Sequence, residues 1–479
     1  MEVVPTGIPG FDEVVGGGLR RGWTYLLKGT PGSGKTIFGL QFLMEGARRG
    51  EKCAYISFDE TAEELKAQAE GFGWDLEGIY VIDKVKELDV IGGNLMFYDF
   101  DSTAEIVSFV ESITRIRELE SVDRVFIDGV GALRDLARDP VIVRRILLSL
   151  TCFLNSIRAT TLMSCDMTEE FGREVISYVT SGEFVIERRE RADGKVLRIL
   201  HVLKYRGGNA HLGRHYFDIT PRGIVVYPII PMLKERREGR RLLSTGNEGL
   251  DSMLGGGIYE GSSVVISGKS GVGKTSTCLQ ILKENDVRGD VGVLYTFDET
   301  EDQILERFTT LFNHRPRRMV VREVGMDVSL GEFYRTLMED VKNVKPKIVA
   351  IDPVNNLRYV SLTQEELLRT LKLIRDQLKG LGTILICVDE IAESLGVFRF
   401  SSMGLSPYAD YIILGRFVEI EGELVKTVSV VKNRFGNHEK TVRILEIEEG
   451  RGLKISEPLK DYRGIMKGVM SKISPASRI

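Results

Sequence analysis

Two stretches of the chain combine closely spaced glycines with a lysine and a threonine, in the spacing G-x-x-x-x-G-K-T. These stretches are Gly29-Thr30-Pro31-Gly32-Ser33-Gly34-Lys35-Thr36 and Gly268-Lys269-Ser270-Gly271-Val272-Gly273-Lys274-Thr275. Because glycine has no Cβ, the backbone N–H groups of such a loop can converge on phosphate oxygens. We expect Lys35 and Lys274 to reach the β- and γ-phosphates of a bound nucleotide. The hydroxyls of Thr36 and Thr275 are then placed to coordinate Mg²⁺.

Two aspartates, Asp128 and Asp352, each follow a short apolar run that is typical of a buried strand. An acidic residue at the end of a strand beside such a phosphate-binding loop (P-loop) is the expected partner of Mg²⁺, directly or from its second shell. The alternative is a helix cap or a turn residue. The order and spacing of the motifs favour the magnesium role.

Two carboxylate pairs, Asp59-Glu60 and Asp298-Glu299, end the strand that is predicted after each P-loop helix. Hydrolysis of a phosphoanhydride needs a carboxylate near the γ-phosphate to orient and polarise water. The alternative is a cap for the following helix, and both roles are compatible. We therefore interpret both pairs as candidate catalytic groups.

The chain contains a large internal repeat. Thr6, Lys35 and Glu60 recur as Thr245, Lys274 and Glu299, each 239 positions later, and shared glycines and aspartates follow the same offset. A duplicated domain explains this regularity. We expect a first domain at 1–232, a charged linker at 233–241, a second domain at 242–458 and a tail at 459–479.

Short apolar runs alternate with longer amphipathic segments in each half. The predicted strands are Thr24–Leu27, Cys53–Phe58, Arg124–Ile127 and Thr160–Ser164 in the first half, and Ser263–Ser267, Gly292–Phe297, Ile348–Ile351 and Thr383–Val388 in the second. The predicted helices after the P-loops are Ile37–Arg48 and Ser276–Asn285. This alternation predicts an α/β fold in which a mainly parallel sheet is covered by helices.

The composition excludes several classes of protein. The 479 residues are 43% hydrophobic and 28% charged, with a formal net charge of −4. No apolar run approaches the length of a membrane span, and nothing at the N-terminus resembles a secretory signal. The balanced charge argues against a protein that mainly coats nucleic acid. Five scattered cysteines predict reduced core residues: Cys53, Cys152, Cys165, Cys278 and Cys387. We expect a soluble cytoplasmic protein.

Duplicated P-loop domains, each opening with Thr-Gly…Asp…Gly-Gly-Gly and followed by a carboxylate pair and a late Lys-x-Arg, resemble the KaiC family of RecA-type ATPases. The resemblance covers nearly the whole chain and implies tandem RecA-like domains that bind ATP and Mg²⁺. The late motifs are Lys204-Tyr205-Arg206 and Lys432-Asn433-Arg434. In the family, these basic residues reach the γ-phosphate bound by a neighbouring subunit. The resemblance therefore implies a ring, expected to be a homo-hexamer, that signals to protein partners the sequence does not identify.

The chain departs from the clock proteins of that family at its carboxylates and phosphoacceptors. Those proteins carry Glu-Glu where this chain has Asp-Glu, so either member of each pair could be the base. They also carry adjacent phosphorylatable Ser and Thr residues. Here Ser406 fits the serine position, but Pro407 occupies the threonine position and has no hydroxyl. A two-site phosphorylation cycle is excluded there, whereas Ser401, Ser402 and Ser406 remain candidate single acceptors.

Two other functions stay open at this point. One is a DNA-dependent recombinase or helicase-like motor, which needs basic loops facing a channel. The basic stretch Glu187-Arg188-Arg189-Glu190-Arg191 is diluted by acids, and the corresponding stretch of the second half, between Glu393 and Tyr408, offers only Arg399. The other is a nucleotide-binding transcriptional or other regulator with little turnover. The histidines offer no further chemistry, because His201, His215 and His314 lack metal-ligand spacing.

Overall fold

A computed structural model describes residues 2–83, 121–132, 140–167, 177–190, 196–230, 239–325, 327–361, 363–391, 400–420, 422–459, 462–463 and 471–472. The chain divides into two compact units, Met1–Ile230 and Pro231–Ile479. Most of the predicted linker and of the predicted tail lies outside the described residues. None of the described helices is long and apolar enough to cross a membrane.

The first unit contains a nine-stranded sheet. The described strands of this unit are β1 Val3–Val4, β2 Leu19–Arg20, β3 Thr24–Gly29, β4 Cys53–Ser57, β5 Ile79–Asp83, β6 Arg124–Asp128, β7 Thr160–Asp166, β8 Gly182–Glu190, β9 Val196–Tyr205, β10 Gly213–Thr220 and β11 Gly223–Tyr227. Its described helices are α1 Phe11–Val14, α2 Lys35–Arg48, α3 Ala62–Gly71 and α4 Pro140–Ser156. The strand order is β11-β10-β9-β8-β3-β7-β6-β4-β5. The strands from β8 to β5 are parallel, whereas β9, β10 and β11 continue the sheet in antiparallel fashion.

The second unit repeats this architecture. Its described strands are β12 Leu242–Leu243, β13 Ile258–Tyr259, β14 Ser263–Gly268, β15 Gly292–Thr296, β16 Met319–Glu323, β17 Ile348–Asp352, β18 Ile384–Glu390, β19 Tyr411–Ile420, β20 Glu423–Asn433, β21 Arg443–Glu448, β22 Gly452–Ile455, β23 Tyr462–Arg463 and β24 Ser471–Lys472, and its helices are α5 Glu248–Leu254, α6 Lys274–Val287, α7 Glu301–Phe312, α8 Leu330–Val344 and α9 Gln364–Leu381. The strand order is β16-β15-β17-β18-β14-β19-β20-β21-β22. Both sheets thus confirm the predicted tandem RecA-like α/β fold.

The central strands are buried along their whole length because helices cover both faces of the sheet. Every residue of β3, β4 and β6 is buried. On β4, Tyr55 belongs to the core that includes Phe38 and Phe42 of α2, whereas Ile56 belongs to the core that includes Ile146 of α4. Successive side chains therefore point to opposite helical layers.

The repeated Thr-Gly…Asp motif at the start of each domain is structural. The Thr6 hydroxyl donates to Asp12 Oδ1 at 2.7 Å, and the Thr245 hydroxyl donates to Asp251 Oδ1 at 2.7 Å. In both cases the threonine backbone N–H donates to the same aspartate. These contacts fix the segment that leads into the sheet. The motif therefore recurs as a structural feature of the duplicated domain and supplies no catalytic group.

Two expectations need correction. Four of the five cysteines are buried, but Cys152 is exposed on α4, because it falls on the outer face of that amphipathic helix. The strand that ends in Asp128 is also not next to the P-loop strand. Strand β7 lies between β3 and β6, and it brings a further carboxylate, Asp166, to the site.

Candidate functional site

Each P-loop connects a buried strand to the helix that follows it. Gly34 and Gly273 cap helices α2 and α6 in the left-handed region, with φ values of 103° and 105°. A side chain with a Cβ is strained in this region, which explains glycine at this position. Neither helix has an acidic residue in its first turn. The positive end of each helix dipole is therefore available to an anion such as a phosphate group.

The two P-loop lysines have different partners. The Lys35 Nζ forms an ion pair with Asp166 Oδ1 at 2.5 Å and donates to the Gly29 carbonyl oxygen at 3.2 Å. The Lys274 Nζ donates to the Lys269 carbonyl oxygen at 2.8 Å, and burial lowers its pKa. Each ammonium thus lies inside its own loop, at the place where a phosphate group would bind.

Asp128 is held by three hydroxyl groups. Thr36 Oγ1 donates to Asp128 Oδ2 at 3.0 Å, and the Tyr55 hydroxyl donates to the same oxygen at 2.5 Å. Ser164 donates to the other carboxylate oxygen. The structure therefore brings together Thr36 and Asp128, the two residues predicted to hold Mg²⁺ in the first domain.

Asp352 has the corresponding position in the second domain. The Thr275 hydroxyl hydrogen-bonds to it, burial raises its pKa to about 6, and its buried Oδ2 has no hydrogen-bond partner among the described residues. Mg²⁺ prefers oxygen ligands and keeps some of its coordination for water and phosphate oxygens. A hydroxyl and an unpartnered carboxylate oxygen fit this requirement, so Thr275 and Asp352 suit Mg²⁺ bound together with a nucleotide. The described residues contain no group of three or more His, Cys, Asp or Glu that could hold a metal by itself.

The first carboxylate pair lies at the carboxyl end of β4. Burial raises the pKa of Asp59 to about 6, and the charges of Asp128 and Asp166 contribute to the increase. Glu60 Oε2 instead accepts a hydrogen bond from Gln68 Nε2 of α3 at 3.0 Å. The helix is capped by neither residue, because Thr61 and Glu64 form a complete capping box. The helix cap therefore uses neither carboxylate of the pair.

The second pair borders a cleft of about 360 Å³ that is also lined by Lys274, Thr275 and Asp352. Asp298 Oδ1 accepts a hydrogen bond from Asn356. Glu299 Oε1 forms an ion pair with Arg307 of α7 at 2.8 Å. As in the first domain, a threonine caps the following helix: Thr300 caps α7, and Gln303 completes the capping box. The P-loop lysine, the hydroxyl–aspartate pair and the carboxylate pair predicted for the second site thus share one cleft.

Replacing Gly129 with alanine is expected to inactivate the first site. Gly129 has a φ of +74°, and a Cβ there would lie 2.1 Å from Asp59 Oδ2. The substitution must therefore displace Asp59 or the segment after Asp128, and a displacement of about 1 Å can cost ~100-fold in rate. Phosphate release in a Lys274→Ala background measures the effect. A rate equal to that of the Lys274→Ala parent would contradict this account of the site.

The four late basic residues lie at matching places in the two domains. Lys204 is the next-to-last residue of β9 and donates to the Ser177 and Thr180 carbonyl oxygens at 2.7 and 2.5 Å. Lys432 is the next-to-last residue of β20 and donates to the Ser406 carbonyl oxygen at 2.6 Å. Burial lowers the pKa of both lysines, and the neighbouring charges of Arg206 and Arg434 lower it further. Within one chain, these cations are not in the lining of the described cleft.

Ser406 lies in the turn before β19 and is half-buried, with Pro407 exposed beside it. The two other candidate acceptors are engaged locally. Ser401 Oγ accepts the backbone N–H of Leu405 at 3.0 Å, and Ser402 Oγ donates to Asp389 Oδ1 at 2.6 Å.

The sequence interpretation missed several residues that line or order the sites. They are Tyr55, Asp166, Arg307, Asn356, Glu390 and Lys426. The sequence could have predicted Asp166 and Glu390 as site residues, because each lies at the carboxyl end of a predicted buried strand. The strand registers place them level with Gly29 and Gly268.

Most of the other arginines and histidines considered in the sequence form ion pairs or hydrogen bonds within the chain. Arg189 pairs with Glu187 at 2.7 Å and Arg188 pairs with Glu190 at 3.4 Å, whereas Arg191 and Arg399 lie outside the described residues. His215 is buried, and its Nδ1 accepts the Ile229 backbone N–H at 2.9 Å. Burial lowers the pKa of this histidine to about 4. Histidine 314 pairs with Asp286 at 2.8 Å, and His201 lies within β9.

These features define a class of protein. Two RecA-like domains each carry a P-loop, a hydroxyl–aspartate pair suited to Mg²⁺ and an acidic pair at the end of the neighbouring strand, which is the arrangement of tandem P-loop ATPases. A family model described as "ATPase: KaiC" matches residues 4–230 and 243–460. The chain therefore belongs to the KaiC family of ATPases.

Several curated proteins are similar to the chain over nearly its whole length. A circadian clock protein KaiC3 of Synechocystis sp. is 29% identical, over 98% of this chain and 94% of that protein. A circadian clock oscillator protein KaiC of Parathermosynechococcus lividus is 28% identical, over 98% of this chain and 88% of that protein. A circadian clock oscillator protein KaiC of Synechococcus elongatus is 28% identical, over 98% of this chain and 92% of that protein.

Proposed function

We propose that the chain binds and hydrolyses MgATP at both sites and uses the nucleotide state to regulate partner proteins. The observation that carries this proposal is the convergence, in each domain, of a phosphate-binding lysine, a hydroxyl–aspartate pair and two carboxylates. These groups come from three strand ends that are distant in sequence. A purely structural glycine turn has no need of such a set.

In this proposal, the backbone N–H groups of the P-loop and Lys35 or Lys274 hold the phosphates. Bound Mg²⁺ would neutralise phosphate charge, and Thr36 with Asp128, or Thr275 with Asp352, would hold it. The carboxylate pairs Asp59-Glu60 and Asp298-Glu299 would orient water and accept its proton. The residues of each domain then form one nearly complete ATPase site.

We further propose that the sites are completed by assembly into a ring, with a homo-hexamer as the expected form. Lys204, Arg206, Lys432 and Arg434 would each approach the γ-phosphate in a neighbouring subunit, as an arginine finger supplied in trans. Their matching placement at the ends of β9 and β20 supports this role. A ring couples hydrolysis in one subunit to contacts with the next.

Autophosphorylation is a second proposal, and Ser406 is its candidate acceptor. The Ser406 carbonyl oxygen accepts a hydrogen bond from Lys432, one of the cations proposed to face a neighbouring nucleotide. The hydroxyl therefore belongs to a segment that this cation positions. Because Pro407 follows, a single modified residue is expected in this segment.

One experiment separates these proposals. The protein is incubated with γ-labelled ATP and Mg²⁺, and phosphate release, protein-bound label and particle mass are measured together for the wild type, Lys35→Ala and Lys274→Ala. We expect each variant to lose one site's share of phosphate release, and the double variant to retain less than about 1% of the total, because the P-loop lysine contacts the reacting phosphates. Label that maps to Ser406 and is lost in Lys274→Ala supports the autokinase. A wild type that stays monomeric with MgATP and releases no phosphate contradicts the ring ATPase.

A further inference from the structure

A turn of 3-10 helix, Val354–Tyr359, places two consecutive asparagines at the second site. Asn355 Oδ1 accepts the Glu390 backbone N–H at 2.7 Å, and its Nδ2 donates to the Glu390 carbonyl oxygen at 3.0 Å. Asn356 Nδ2 donates to Asp298 Oδ1. Asp298 and Glu390 both line the cleft. This amide pair, Asn355 and Asn356, therefore links two acidic residues from strands on either side of β17.

The turn that carries the amide pair is itself anchored. Asn355 Nδ2 lies 2.8 Å from Ser402 Oγ and 3.2 Å from Asp389 Oδ1. The fully buried Asp389 also accepts the Ser402 backbone N–H at 2.9 Å, and Arg358 donates to the Ser402 carbonyl oxygen at 2.7 Å. A donor on so constrained a turn loses little freedom when it binds a carboxylate, so it can fix that carboxylate's orientation.

At the positions that correspond to this amide pair, the first domain has no side-chain amide. Counted from Asp128 and Asp352, the corresponding residues are Gly131 and Ala132, which have no side-chain amide. Asp166, at the position of Glu390, is instead bound to the P-loop lysine. The two sites thus hold equivalent carboxylates by different means. Among the described residues, a side-chain amide binds the first member of the acidic pair at the second site, Asp298, whereas at the first site the amide of Gln68 binds the second member, Glu60.

We propose that Asn356 is a positioning residue of the second site, which holds the Asp298 carboxylate in the orientation required for attack by water, while Asn355 fixes the main chain at Glu390. This inference rests on the proposed function, because it assigns Asp298 to hydrolysis. Asn356 acts through Asp298 and need not touch the nucleotide. Its removal is therefore expected to slow turnover while nucleotide binding persists.

The test uses the full-length protein in a Lys35→Ala background, where phosphate release reports the second site. Asn356→Ala is expected to lower kcat by about 10-fold while KM for ATP stays within ~2-fold, since the lost contact orients the catalytic group. Asn356→Asp keeps the side-chain shape but removes the donor, and is expected to lose at least as much. The matched control is Arg358→Ala on the same turn, which removes a contact to Ser402 and leaves Asn356 in place.

The outcomes are distinguishable. Wild-type kcat in Asn356→Ala, or a full rate in Asn356→Asp, overturns the positioning role. An equal loss in Arg358→Ala also overturns it, because the turn as a whole would then be responsible. If the Lys35→Ala parent itself releases no phosphate while binding ATP, the proposed hydrolysis at the second site has failed instead.

Discussion

Replacing Arg434 with alanine is expected to lower phosphate release at the second site by about 1,000-fold, which is the scale of an arginine finger. The guanidinium lies just beyond β20, where its Nη2 donates to the Pro407 carbonyl oxygen and its Nη1 lies 3.7 Å from Asp410. These partners are a carbonyl and a carboxylate of its own chain. In the proposed ring, a planar cation held there would meet the γ-phosphate of an adjacent subunit.

The trans origin of this effect has its own test. Arg434→Ala subunits retain a complete P-loop, whereas Lys274→Ala subunits retain the basic residue that a neighbour needs. Mixing the two inactive proteins is therefore expected to restore part of the second-site activity, because some interfaces then combine an intact loop with an intact arginine. Both proteins carry Lys35→Ala, so that the first site does not contribute.

Arg206→Ala is the matched control in the first domain. It is expected to affect the first site and to leave the second unchanged, because each basic motif belongs to its own domain. Unchanged second-site release in Arg434→Ala, or a mixture no more active than its components, would contradict supply of the finger by a neighbour.

The local parts of this site could be predicted from the sequence. The P-loops, the buried strands and the helices after them follow from glycine spacing and hydrophobic pattern, which are properties of neighbouring residues. The predicted strand Thr24–Leu27 extends to Gly29, and the predicted helix Ile37–Arg48 begins two residues earlier, at Lys35. These differences arise at element ends, where the local pattern is weakest.

The parts that could not be predicted depend on strand order. Nothing in the spacing of Asp128 indicates that β7 lies between its strand and the P-loop strand, or that Asp166 therefore reaches Lys35. The contact of Asn356 with Asp298 joins residues 58 positions apart. A single sequence contains no local signal for such contacts, because they are determined by which strands pair in the folded domain.

Replacing Asp59 with asparagine is expected to lower first-site turnover by about 100-fold or more, whereas Glu60→Gln is expected to cost ~10-fold or less. In both domains the second member of the acidic pair is bound by a residue of the following helix, Gln68 for Glu60 and Arg307 for Glu299. The first members have other surroundings: burial and the charges of Asp128 and Asp166 raise the pKa of Asp59, and Asp298 accepts a hydrogen bond from Asn356. On this basis we propose that the first member of each pair is the base.

The pH dependence provides a second measure of the same assignment. Burial raises the pKa of Asp59 to about 6, so this carboxyl group is largely protonated below that pH and cannot accept a proton from water. In a Lys274→Ala background, kcat/KM is therefore expected to rise with pH through about 6 and to level off above it, because kcat/KM reports groups of the free enzyme. Asp59→Asn should remove this step, whereas Glu60→Gln should keep it. The reverse pattern would assign the base to Glu60 and would mean that its hydrogen bond to Gln68 opens before water attacks the γ-phosphate.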